Sequence, residues 1–151
     1  MSIPYDVFTG AFLAKITERN LLSLGKVDRM EIVDGYMKKS IANSSFKKVC
    51  AYDLTSTQDD ILREFSIDID EGEIEEIADI VSEGMLTHWM KPYVYKQELL
   101  ENAINTRDFN IYSPAELLLR VNNAYTKAQK DYINMIREYS YNHGDLTDLH
   151  L

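Results

Sequence analysis

The chain has 151 residues, of which 45% are hydrophobic and 27% charged, with a formal net charge of −9. That length and balance describe one folded unit with a real core, and 25 acidic against 16 basic residues exclude a surface that grips nucleic acid through clustered Lys and Arg. No run of about eighteen apolar residues offers a membrane span, the first residues lack the pattern of a secretory signal, and the single Cys50 excludes an internal disulfide and fits a reducing compartment.

In chain order, residues 4–16 read as a first helix. Pro4 stands near a first-turn position and Phe8, Phe12 and Ile16 recur every fourth residue. Residues 26–43 read as a second helix, with Met30, Val33, Met37 and Ile41 on one face. The stretch 44–70 is less regular. It carries the turn-like Thr55-Ser56-Thr57 and then an alternation at Phe65, Ile67 and Ile69, whose period of two predicts a short strand or hairpin arm. From Glu71 the helical period returns: Ile74, Ile77, Val81, Met85, His88 and Trp89 share a face, and Pro92 is expected to end or kink that helix. A shorter helix is expected near 95–104.

The last helix has the fullest signature. Ser113-Pro114-Ala115-Glu116 forms a capping box with proline at the first helical position. Behind it, Leu118, Val121, Tyr125, Ala128, Tyr132, Met135 and Tyr139 make a heptad-like seam. Residues 113–141 would be roughly 43 Å long, against about 30 Å for a small domain, so one end is expected to project. Gly144 can close the helix, and Leu146, Leu149 and Leu151 then follow in a segment where free termini are usually polar.

These elements predict a mainly α fold: a helical bundle of about four to five helices with a long C-terminal helix, a short β-hairpin or strand around 60–70, and an extended C-terminal tail. Residues 1–143 read as a single helical domain and 144–151 as a docking tail.

Chemistry is sparse. His88, His143 and His150 are far apart, and no Glu stands three residues before any of them, so the paired ligands of di-iron bundles are missing. The sequence holds no Gly-rich phosphate loop, nucleophile elbow or Cys-x-x-Cys pair. Asp68-Ile69-Asp70-Glu71 opens like a calcium loop, but Glu73 stands where the turn needs glycine and Asp79 where it needs a bidentate glutamate; an acidic helix start accounts for it better. Cys50 and His88 read as core residues. Of the ten tyrosines, Tyr93, Tyr95, Tyr112, Tyr139 and Tyr141 gather near helix ends, where a large ring with a polar tip suits packing between polypeptides or capping of the bundle itself.

Three stretches carry a resemblance: Trp89-Met90-Lys91-Pro92, then Asp108-Phe109-Asn110-Ile111-Tyr112-Ser113-Pro114-Ala115, then Arg137-Glu138-Tyr139-Ser140-Tyr141. In order and spacing the chain resembles the head–tail connector (adaptor) proteins of long-tailed bacteriophages over residues 75–141, and more faintly over 32–41. The resemblance implies a helical subunit of a dodecameric ring beneath the portal protein, with neck or tail-completion proteins attached below. DNA would pass through the channel without specific binding. It implies a virion structural protein at the neck, assembled in the host cytoplasm, with no catalytic residue, metal or cofactor.

A ring of identical copies needs heterologous contacts. Helix-end aromatics and an unpaired strand edge point to the Trp89–Tyr95 stretch and the segment 53–70, with Trp89, Tyr93, Tyr95, Tyr112, Phe65 and Ile67 as subunit contacts. Tyr139, Tyr141, His143, Leu146, Leu149 and Leu151 are the expected docking surface for the portal or a neighbouring ring; the alternative is a tail folded back on its own bundle. Glu71, Glu73, Glu75 and Glu76 are the candidates for a channel wall, because fixed negative charge offers DNA phosphates no attractive wells; the alternative is a solvated face. The competing functions are a coiled-coil scaffold or regulatory protein, whose seam would pair with a partner helix, and another neck component of similar build.

Overall fold

The computed structural model describes residues 2–18, 30–95 and 114–143. Among these the chain is mainly helical, with a small three-stranded antiparallel sheet. The elements in order are β1 (Ile3–Pro4), α1 (Asp6–Glu18), α2 (Met30–Ile41), α3 (Ser44–Val49), β2 (Gln58–Asp59), β3 (Glu64–Phe65) and α4 (Glu71–Tyr95). The last, α5, runs Pro114–His143.

The central element is α4, which packs against α1, α2 and α5. Its surroundings explain its composition. Ile77, Val81, Met85 and Trp89 are buried on the expected face, but so are Ile80, Ser82, Leu86 and Met90 on other sides. A helix covered on several faces has no single apolar stripe. From α1 come Phe8, Phe12 and Ile16, all buried as their spacing predicts, and from α2 Val33, Met37 and Ile41. Phe12 meets Trp89 edge-on at 5.9 Å between ring centres, an arrangement that matches ring edge to ring face.

Three expectations are corrected. Pro4 does not open a helix. It lies in β1, opposite Glu64, on an edge of a sheet ordered β1-β3-β2, where its missing N–H leaves no gap in the ladder. Helix α1 starts instead at Asp6, whose carboxylate accepts the Thr9 hydroxyl at 3.2 Å. Pro92 does not end α4, which continues to Tyr95; the proline is exposed, so its ring meets solvent, and it forgoes the one N–H that would reach the carbonyl a turn earlier. The irregular stretch hides a helix, α3. Its Asn43 side chain accepts the Ser45 and Phe46 backbone N–H groups at 3.0 and 3.3 Å, an N-cap that seats Phe46 in the core. The expected helix near 95–104 lies outside the described residues apart from its first residue, and so does the Ser113 cap.

Helix α5, 30 residues and roughly 45 Å long, lies along α4. Val121, Tyr125, Ala128, Tyr132 and Tyr139 of its seam are buried. Near the end the seam shifts, with Ile136 buried and Met135 only half-buried. At Gly84 the three helices α2, α4 and α5 meet. The absence of a side chain there admits Ser40 and the Tyr132 ring. Tyr132 donates to the Ser40 carbonyl at 3.0 Å, and the Ser40 hydroxyl donates to the Val81 carbonyl at 2.8 Å. An ion pair fastens α1 to α4: Lys15 Nζ lies 2.6 Å from Asp79 and 3.5 Å from the fully buried Glu83, and donates to the Asp79 carbonyl at 2.8 Å.

Candidate interaction surface

Two surfaces stand out, and each is held by a rigid support. The first is the β2–β3 hairpin. Its four-residue connection, Asp60–Arg63, is set by local bonds: the Asp59 carboxylate accepts the N–H groups of Ile61 and Leu62, both at 3.1 Å. Arg63 takes a left-handed backbone with φ 51°, a conformation an arginine adopts only when its surroundings fix it.

Those surroundings are evident. Arg63 donates from Nε and Nη2 to the two oxygens of Asp34 on α2, both at 2.9 Å, and Nη2 also reaches Asp6 on α1 at 3.0 Å. Such a fork-to-fork pair fixes orientation as well as distance, and Asp34 holds the guanidinium well above its usual pKa. The Arg63 carbonyl accepts Tyr5 N–H at 2.9 Å. The Tyr5 hydroxyl donates to Asp60 at 2.8 Å, and Lys38 closes on the same carboxylate at 2.8 Å. Bonds from Lys38 and Tyr5 hold Asp60 below the ordinary carboxylate range. Beneath, Phe65 packs between Tyr5 and Phe8 at 4.8 and 5.3 Å. This clamp presents Ile61 and Leu62, 93% and 66% exposed.

The second surface is a cleft of about 420 Å³ where α4 and α5 meet the turn into α3. Tyr125, Tyr132, Ile133 and Ile136 supply its apolar lining, and His88, Lys91 and Arg137 its basic groups, with no carboxylate among the lining residues. Burial, together with the nearby Lys39 and Lys91, holds His88 below its usual pKa. Ile133 is 49% exposed on this face.

The expected contact residues divide on inspection. Trp89 and Phe65 are corrected: at 1% and 0% exposure they fill this chain's own core and present nothing to a neighbour. Ile67 is half-buried against that core. Tyr139 is likewise corrected from a docking residue to a core residue. It is fully buried, accepts the Ala51 N–H at 3.4 Å, and burial pushes its pKa up to about 12. Tyr141, two residues on, is 69% exposed. Tyr93 and Tyr95 fall in the last turn of α4 and His143 ends α5; their side chains, with Tyr112, Leu146, Leu149 and Leu151, lie outside the described part. Of the acidic candidates, Glu71 and Glu75 are exposed and Glu76 is half-buried. Glu73 is half-buried and accepts the Tyr52 hydroxyl, which raises that phenol's pKa. Among the described residues no group of three or more His, Cys, Asp or Glu could hold a metal ion, and no helix is long and apolar enough to cross a membrane.

Sequence reasoning missed Ile61, Leu62 and their clamp. A signal was there: two adjacent apolar residues between Asp59-Asp60 and Arg63, a hydrophobic pair with no periodic partner. No protein-family model matches the chain, and no curated protein or solved structure matches it either.

Proposed function

We propose that this chain is a structural assembly protein, a head–tail connector (adaptor) of a long-tailed bacteriophage. Its copies form a ring between the portal and the neck or tail-completion proteins. The observation that carries the assembly role is the hairpin tip: two large apolar side chains are presented to solvent by a clamp of ion pairs spanning α1, α2 and the sheet. Clamping exposed apolar groups on a rigid support lowers the entropy cost of binding a protein partner. The virion setting comes from the resemblance carried by residues 89–92, 108–115 and 137–141.

The competing scaffold reading needs the α5 seam for a partner helix. Val121, Tyr125, Ala128, Tyr132 and Tyr139 of that seam are already buried within the same chain, where α5 packs on α4, which favours the connector. In the connector reading, exposed Glu71 and Glu75 are the acidic residues free to line a channel, and the tail from Gly144 onward docks on the portal or a neighbouring ring. Electron microscopy of the purified protein, alone and with the portal, tests the proposal: rings with a central channel support it, and small dimers or trimers of fixed size under both conditions refute it.

A further inference from the structure

The hairpin tip and the cleft are complementary in shape and charge. We propose that Ile61 and Leu62 of one copy seat in the α4–α5 cleft of a second copy. The partner rests on the self-assembling reading above; the contact itself rests on three features of the two surfaces.

Size comes first. An engineered apolar cavity of about 150 Å³ is enough to take one benzene-sized group, and the cleft, at about 420 Å³, has room for two apolar side chains. Polarity comes second. Ile61 is 93% and Leu62 66% exposed in their own chain, and Ile133, Tyr125 and Tyr132 line the cleft as their counterpart.

Charge comes third. Around the tip five carboxylates (Asp6, Asp34, Asp59, Asp60, Glu64) surround two cations, Lys38 and Arg63. The cleft has Lys91 and Arg137 and, among the described residues, no acidic lining. Opposite fields on two patches steer them together and disfavour like-with-like pairing, tip on tip or cleft on cleft. Because the patches differ, the contact is heterologous, and repetition gives a closed ring or an open filament rather than a two-fold dimer.

The test uses single-cysteine chains in which Cys50→Ala removes the native thiol. One carries Ile61→Cys and the other Ile133→Cys, both at exposed positions where folding is not at stake. Under mild oxidation the mixture should give a cross-linked pair that neither variant gives alone, and Arg137→Glu in the cleft-bearing chain should reduce its yield. No mixed cross-link, or an Ile61→Cys chain that pairs equally with itself, overturns the contact. Imaging of Ile61→Asp/Leu62→Asp separates this claim from the ring. Rings that persist in that variant overturn the contact and leave the connector reading standing. Mixed cross-links in open filaments, with no ring in the native protein, uphold the contact and overturn the ring.

Discussion

Gly84→Ala tests the packing on which both surfaces depend, because its sign distinguishes two accounts. In an exposed helix the change would gain about 0.8–1.0 kcal/mol of helix propensity. Here a Cβ would stand 2.8 and 2.9 Å from Cε1 and Cζ of the Tyr132 ring, and closer still to the Ser40 hydroxyl. Carbon atoms settle about 3.5–4.0 Å apart, so the ring must retreat by up to roughly 1 Å. Its hydroxyl is tied to the Ser40 carbonyl, which resists that movement. Overpacking of this kind costs about 1–3 kcal/mol. Rotating the Ser40 hydroxyl aside forfeits a further ~1 kcal/mol for its bond to Val81. The balance is a loss of about 2 kcal/mol, which in a chain of this size lowers Tm by about 4–8 °C. Urea and thermal unfolding followed by circular dichroism measure it. In a Tyr132→Ala background, with the ring gone, the same substitution should cost much less or turn favourable. A Gly84→Ala protein more stable than the parent would refute the three-helix junction.

Lys15→Met removes a cation 3.5 Å from the fully buried Glu83 and should cost about 3–5 kcal/mol in urea unfolding, whereas Lys15→Met/Glu83→Leu should recover most of that loss. Arg63→Ala removes the fork to Asp34 and the contact to Asp6; the expected cost is about 2 kcal/mol, with faster amide exchange at Ile61 and Leu62. His88 has its pKa lowered below 6.5 in the fold, facing Lys39 and Lys91 with Arg137 in the same cleft, so the unfolded chain binds more protons near pH 6. Its contribution is therefore complete above pH 6.5 and is lost as pH falls through the lowered value; unfolding between pH 5 and pH 7.5 should show this slope, and His88→Gln should flatten it. Deleting 144–151 should leave unfolding by circular dichroism unchanged and abolish co-sedimentation with the portal; retained co-sedimentation would refute the docking role of the tail.

How much of this was legible in the sequence depends on the range of the forces that set each element. Phe8, Phe12 and Ile16 announce α1 because one face of a short amphipathic helix is set by neighbours three and four residues away. The α5 seam is legible for the same reason. Its shift from Met135 to Ile136 reflects the mismatch between a straight helix and a seven-residue repeat. The hairpin is different. Its strands are two residues long, and its shape comes from Arg63 with Asp34, 29 positions away, and Tyr5 with Asp60, 55 positions away. No local window contains those pairs. Trp89 and Tyr139 stand both on an apolar face and near a helix end, where an aromatic ring can serve either a partner or the bundle. Phe12 and the Ala51 N–H, both distant in sequence, bring them inward. Pro4 misled for a related reason: the proline signal is the same at a helix start and on a sheet edge, and Glu64 decides between them.

In the proposed function, apolar side chains on this surface meet further copies of the same chain and the proteins on either side of them. Electron micrographs of the purified protein with the portal measure it most directly. Closed rings with a central channel are expected, in which Ile61 and Leu62 of each subunit lie against its neighbour. A solitary subunit, or a compact dimer joined through other surfaces with that hairpin tip still facing solvent, would contradict it.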